Sequence, residues 1–167
     1  MHLPEPRRVF AALWISLIPS VAFGGKIAIA GRHLCVAGTP TTLRQNDSPL
    51  VTVFVEHRCT NHSTGPTPYM DGAKVRVTAV NRFDGGEASG EGNIHTVLGE
   101  DSTTAVWKGR MSSLRGDDGL PVYVMEGTWE TITATGRWSG AVQRGTWRGQ
   151  MRRTEQFEID WQGSTSE

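Results

Sequence analysis

Apolar and polar positions alternate with a period of two over most of this chain. In Leu50–Cys59 (LVTVFVEHRC), Val51, Val53, Val55, His57 and Cys59 share one face, and Thr52, Phe54, Glu56 and Arg58 the other. Ala73–Phe83 sets Val75, Val77 and Ala79 against Lys74, Arg76 and Thr78. Glu155–Gln162 sets Phe157, Ile159 and Trp161 against Glu158 and Asp160. Strands are also predicted over Lys26–Ala37, Asn93–Leu98, Thr103–Met111, Pro121–Ala134 and Ala141–Arg152, which makes eight. The stretches Gly38–Pro49, Thr60–Gly72, Asp84–Gly92 and Ser112–Leu120 are rich in Gly, Pro, Asn, Asp, Ser and Thr and read as loops.

The most informative stretch is Gly127–Gly149, which carries Gly-Thr-Trp twice, at 127–129 and 145–147. Thr and Trp suit a pleated, half-buried surface, and Gly136 and Gly140 supply the positive φ that a turn requires. A hairpin turning over Thr135–Ala141 is expected to bring Trp129 and Trp147 together as a cross-strand pair. Successive hairpins leave two open sheet edges unless the sheet closes on itself. The expected fold is therefore all-β, an eight-stranded antiparallel up-and-down barrel of calycin-like type. A two-sheet β-sandwich is the alternative, with the long loops at 38–49 and 60–72 serving as crossovers.

Composition agrees with this picture. Twenty glycines and only 37% apolar residues in 167 fit short strands and tight turns in a single domain. Seventeen basic and seventeen acidic side chains cancel, so no net field draws the protein to nucleic acid.

The N-terminus departs from the alternation. Arg7 and Arg8 precede an apolar run from Val9 to Ile18, followed by Pro19 and the small residues Ser20 and Ala22. This order describes a secretory signal peptide over residues 1–22, with cleavage after Ala22 or Gly24 and a barrel domain over 23–167. The apolar run is shorter than the ~20 residues that span a bilayer, so stable membrane insertion is not expected. An N-terminal helix or strand is the competing reading. In an exported, secreted or periplasmic protein, Cys35 and Cys59 are expected to form a disulfide. In a cytosolic one they are buried thiols. Neither lies in a C-x-x-C pair, and no metal site is predicted.

Residues 132–147, ITATGRWSGAVQRGTW, resemble a turn signature of the allene oxide cyclase-like and dirigent-like barrels. Thr135-Gly136 stands at the hairpin, Trp138 is the aromatic, Gly140-Ala141 the small pair and Gly145 the glycine opening the next strand. The resemblance implies an eight-stranded barrel with an apolar cavity. In the enzymes of these families such a cavity guides a cyclisation or coupling by confinement, without a cofactor. No catalytic residue of either family maps onto a position of this chain.

The candidate chemistry is sparse. There is no Ser-His-Asp order, no H-E-x-x-H and no G-x-S-x-G elbow. Asp84, Glu87 and Glu91 match neither calcium-loop spacing and read as a solvated hairpin. Trp107, Trp129, Trp147 and Trp161 are either barrel core or a stacking wall, and Trp138 caps a barrel end. Tyr123 shares the face of Met125, Trp129 and Thr131. His57 follows three inward valines, while Arg144 and Arg148 lie on the parity opposite to Trp147. The expected function is binding of a small, mainly apolar molecule, with Trp129 and Trp147 as the wall and Tyr123 and His57 supplying polarity. A cofactor-free cyclase or isomerase and a structural barrel with a filled core are the alternatives.

Overall fold

The computed structural model describes residues 26–44, 49–84, 87–116, 119–152 and 156–166; the proposed signal peptide lies outside these residues. The strands are β1 (Lys26–Val36), β2 (Thr41–Arg44), β3 (Val51–Ser63), β4 (Lys74–Asp84), β5 (Glu87–Leu98), β6 (Asp101–Arg115), β7 (Pro121–Ala134), β8 (Val142–Met151) and β9 (Gln156–Ser166). From β3 to β9 each strand pairs antiparallel with the next, and β9 returns to β1. β1 in turn pairs with β3, which closes an eight-stranded antiparallel barrel and removes its edges. The sandwich is thereby set aside.

β2 corrects the reading of 38–49 as a loop. It pairs with the start of β3, Thr41 opposite Phe54 and Arg44 opposite Val51, on the edge where β1 holds the rest of β3. Val36 faces Arg58 and Thr41 faces Phe54, so residues 37–40 stand against the shorter stretch 55–57 as a bulge. The chain bends there because Gly38 presses against the Glu56 carbonyl with no room for a Cβ. Beyond the bend, the Thr-rich segment has strand propensity that a turn-residue count overlooks.

A second correction concerns the glycine-rich stretch after Asp84. β5 begins at Glu87, and Gly90 and Gly92 are strand residues paired with Gly109 and Trp107 of β6. Their missing side chains leave space for the Trp107 ring, so packing overrides the weak strand propensity of glycine.

The alternation sets the two faces of the wall. Arg32, Asp160, Arg148, Glu126 and Arg110 follow one another on neighbouring strands of the outer surface, with charge alternating at each step. Arg32 pairs with Asp160 and Glu158, and Arg110 with Glu126. These contacts are exposed, and they make the outside a solvated charged face rather than a source of large stability. Inside are two buried clusters. One is built on Ile29, Tyr69, Met70, Ala73, Ala105, Trp129 and Trp161, the other on Cys35, Cys59, Val75, Val77 and Phe157.

Cys35 and Cys59 face each other across the β1–β3 seam and form a disulfide, with Cα atoms 4.0 Å apart. The bond ties the first strand to the meander at the junction where the barrel closes.

Candidate functional site

The two Gly-Thr-Trp motifs lie against each other head to tail. Gly127 faces Trp147, Thr128 faces Thr146, and Trp129 faces Gly145. Trp129 and Trp147 therefore do not form the expected direct pair. The pairing is centred on Arg137 rather than Trp138, which shifts the register by two and sets a glycine opposite each indole. The turn itself is a short 3₁₀ segment over Gly136–Trp138, with φ of +63° at Gly136 and +81° at Gly140.

Freed of a bulky neighbour, each indole lies over glycine backbone. A Cβ on Gly127 would stand 2.8 Å from Trp147 Cε2, and one on Gly163 would stand 2.7 Å from Trp129 Cζ2. The same holds for Trp161 over Gly31 and for Trp107 over Gly92, at 2.7 and 2.9 Å. The rings meet edge to face as Trp107–Trp147, with centroids 5.4 Å apart, and Trp129–Trp161, at 6.0 Å.

The four tryptophans leave the barrel interior unfilled. A cavity of about 360 Å³ runs between them and the opposite wall, where Val53, Val55, Val77 and Ala79 face it. Pro40, Phe83, Met111 and Met151 line it near one barrel end, and Tyr69, Thr103 and Thr131 near the other. Among the described residues, its lining contains no carboxylate. Arg110 is the single charged lining residue, and its guanidinium is paired with Glu126 on the outer face.

The Tyr69 end is closed by the chain between β3 and β4, which enters the barrel instead of looping outside. Tyr69 and Met70 are buried, and Met70 adopts a left-handed φ of +46° that L side chains rarely take. Asn61 holds the segment in place. Its Nδ2 donates to the carbonyls of Tyr69 and Met70, both at 2.9 Å, and its Oδ1 accepts from Trp161 Nε1 at 3.1 Å. Tyr69 donates its hydroxyl to Gln143 Oε1 at 2.7 Å, and Thr131 Oγ1 donates to the same oxygen at 3.1 Å. Trp138 packs on Tyr69, with centroids 4.7 Å apart, and caps this end as expected.

Two histidines reach the cavity. His33 is buried beside Trp161, and desolvation alone pushes its pKa down to about 4. His57 lies edge-on to Phe157 and accepts the Gly38 amide N–H on Nδ1 at 3.4 Å, so Nε2 carries the proton in the neutral ring. Burial lowers its pKa as well. Neither shift involves a charged partner. Both rings are neutral near pH 7, and no acid–base pair is assembled around them.

The indole N–H groups divide into two sets. Trp107 Nε1 donates to the Thr78 carbonyl at 3.0 Å, and Trp161 Nε1 to Asn61. Trp129 Nε1, Trp147 Nε1 and, at the capped end, Trp138 Nε1 are buried with no acceptor among the described residues.

Of the residues expected to form the site, Trp129, Trp147 and His57 line this one cavity. Tyr123 has the inward parity of Met125 and Trp129, but it sits half-buried near the start of β7, between Ser113 and Met151, outside the lining. His33, Asn61, Tyr69 and Gln143 were missed by the sequence reading. Gln143 shares strand parity with Gly145 and Trp147, which is a readable signal. Tyr69-Met70 is an apolar pair within a polar, proline-flanked stretch. Asn61 heads an Asn-x-Ser sequon, yet its amide is fully engaged inside the barrel and is 1% exposed, so the motif is structural in the folded protein. No family model matches the sequence, and no curated protein is significantly similar to it.

Proposed function

We propose that this protein binds a small, mainly apolar molecule inside its barrel. The observation that carries this reading is the cavity of about 360 Å³, walled by aliphatic and aromatic side chains and closed at one end by the Tyr69 segment. Ligand pockets typically run from roughly 300 to 1,000 Å³ and are largely apolar with a few placed polar groups. The histidines supply such groups without charge.

The cyclase or isomerase reading, which comes with the allene oxide cyclase-like and dirigent-like resemblance, ranks second. Confinement is available, but proton transfer would fall to histidines that have no carboxylate partner to orient them. The filled-core alternative is disfavoured by the volume of the cavity itself. Export is part of the proposal, supported by the basic and apolar N-terminal sequence and by the disulfide.

Native mass spectrometry of the protein from its own host's exported fraction tests the reading. The expected species lacks the first 22 or 24 residues, is two hydrogens lighter than the dithiol, and carries a dissociable small molecule. Full-length protein with free thiols would refute export, and persistent absence of any bound molecule, natural or added, would refute binding.

A further inference from the structure

We infer that His33 anchors the ligand by accepting a hydrogen bond from a hydroxyl, so that the ligand is a neutral, largely apolar alcohol or phenol. This rests on the cavity-binding reading and specifies the chemistry of the same site.

Among the described residues, four buried polar side chains line the cavity: His33, Asn61, Thr96 and Thr103. Asn61 is spent on the Tyr69–Met70 backbone and on Trp161, and Thr103 Oγ1 contacts Tyr69 Oη at 3.4 Å and Met70 Sδ at 3.9 Å. Thr96 keeps a rotatable hydroxyl that can donate or accept. His33 is held more firmly. It stands between Asn61 of β3 and Ile159 of β9, and its ring packs on Trp161 with centroids 5.9 Å apart. It is only 7% exposed, yet no described residue makes a hydrogen bond to its ring. The unpartnered polar atoms that packing seals off are the indole nitrogens of Trp129, Trp138 and Trp147 and the Gln143 amide nitrogen, and neither nitrogen of His33 is one of them. The His33 imidazole is thus enclosed by the barrel but open to the cavity that it lines. His57 does not compete for this role, because its Nδ1 already accepts the Gly38 N–H.

Burial keeps the His33 ring neutral, with one N–H and one bare, basic nitrogen. A ligand that excludes water from the cavity must supply a donor to that nitrogen or leave it dry, and an unmade buried hydrogen bond is costly. A hydrocarbon leaves it dry, and so does a carbonyl or ether oxygen, which is itself an acceptor. An ammonium donates, but the described lining offers no carboxylate to offset its charge. A carboxylate brings a charge into a lining whose single cation, Arg110, is committed to Glu126. A hydroxyl donates without charge and brings few other polar atoms to bury. Even a phenol, with a pKa of roughly 10, keeps its proton beside a neutral imidazole, so the pair stays uncharged.

Three probes of similar shape test this: 2-naphthol, 2-methylnaphthalene, in which a methyl replaces the donor, and 2-naphthoate. Affinities for the wild type and for His33→Phe are measured by calorimetric titration near neutral pH. The expected result is that His33→Phe weakens 2-naphthol about tenfold, one hydrogen bond's worth, and changes 2-methylnaphthalene by less than about twofold. The naphthoate should bind the wild type more weakly than either neutral probe. In wild-type protein carrying ¹⁵N-labelled histidine, the unprotonated His33 nitrogen should resonate upfield with 2-naphthol bound relative to 2-methylnaphthalene bound. If His33→Phe fails to fold, this resonance decides alone. Equal losses of both neutral probes in the variant, coincident His33 resonances, or tighter binding of the naphthoate would overturn the His33 inference and leave the cavity reading standing. Binding of none of the three would overturn both.

Discussion

The Trp147 indole lies flat across Gly127, the residue directly opposite it on the neighbouring strand, with its Cε2 2.8 Å from where a Cβ would stand. That Cβ would also press on the Lys108 carbonyl, which belongs to the sheet and cannot swing aside. Gly127→Ala is thus expected to destabilise the barrel by about 1–3 kcal/mol, the usual range for overpacking. Urea unfolding followed by tryptophan fluorescence measures it, and an unchanged midpoint would show that the ring does not need the glycine.

The seam disulfide makes a separate prediction. Cys35 and Cys59 are 24 residues apart in sequence, and in the chain-entropy model closing such a loop contributes roughly 3 kcal/mol. A Cys35→Ala/Cys59→Ala double variant should lose about that much. Adding dithiothreitol should shift wild-type unfolding in the same direction and leave the variant unaffected.

Asn61 is expected to matter more to the closed end than to the strands. Its amide makes three buried hydrogen bonds, two to the Tyr69–Met70 backbone and one to Trp161. Asn61→Ala should cost about 2–4 kcal/mol, counting roughly 1 kcal/mol or more per bond left unmade in the interior. Hydrogen exchange should locate the loss, with amides of residues 64–73 exposed well before those of β6 and β7.

Acid should weaken the fold through His33. In the unfolded chain its imidazole titrates near 6.5, and in the barrel near 4. Between those values the unfolded state holds the extra proton, so stability is full above about pH 6.5 and declines as the pH falls toward 4. The difference amounts to about 3 kcal/mol at the bottom of that window. His57 adds in the same direction. His33→Phe should flatten the profile, as read from denaturant midpoints between neutral and acidic pH. An equally steep profile in the variant would assign the dependence to other groups.

Filling the cavity separates binding from folding. Val55→Phe adds bulk from the wall facing the tryptophans, and it should abolish binding of an apolar fluorescent probe while far-ultraviolet circular dichroism stays unchanged. Probe binding that survives the substitution would place the ligand elsewhere.

How far the sequence led depends on the range of the interaction concerned. Strand parity is a local property, and it assigned the inward face of β3 from Val53 through His57 to Cys59, together with the inward Trp129 and Trp147. The disulfide followed from two cysteines and a plausible export signal. Register was harder to read. It rested on where a seven-residue turn is centred, and a shift of one position moved Trp129 from Trp147 to Gly145. The Tyr69–Met70 segment was beyond local reading, because its place is fixed by Gln143, Thr103 and Trp161 on distant strands. Tyr123 shows the limit of parity, which gives the side a residue faces and not its height along the barrel.

The strand order has a consequence for how the molecule comes into being. β1 is made first and needs β9, which the chain supplies only after the seven other strands have been made. Until then the nascent sheet has a bare rim, and β1 is held to it only through β3. The Cys35–Cys59 bond needs only β1 and β3 to have met, so in an oxidising compartment it can hold the first strand in register before β9 closes the wall. Losing β9 would therefore not shorten an edge. It would turn a vessel back into an open sheet, with nothing left to contain.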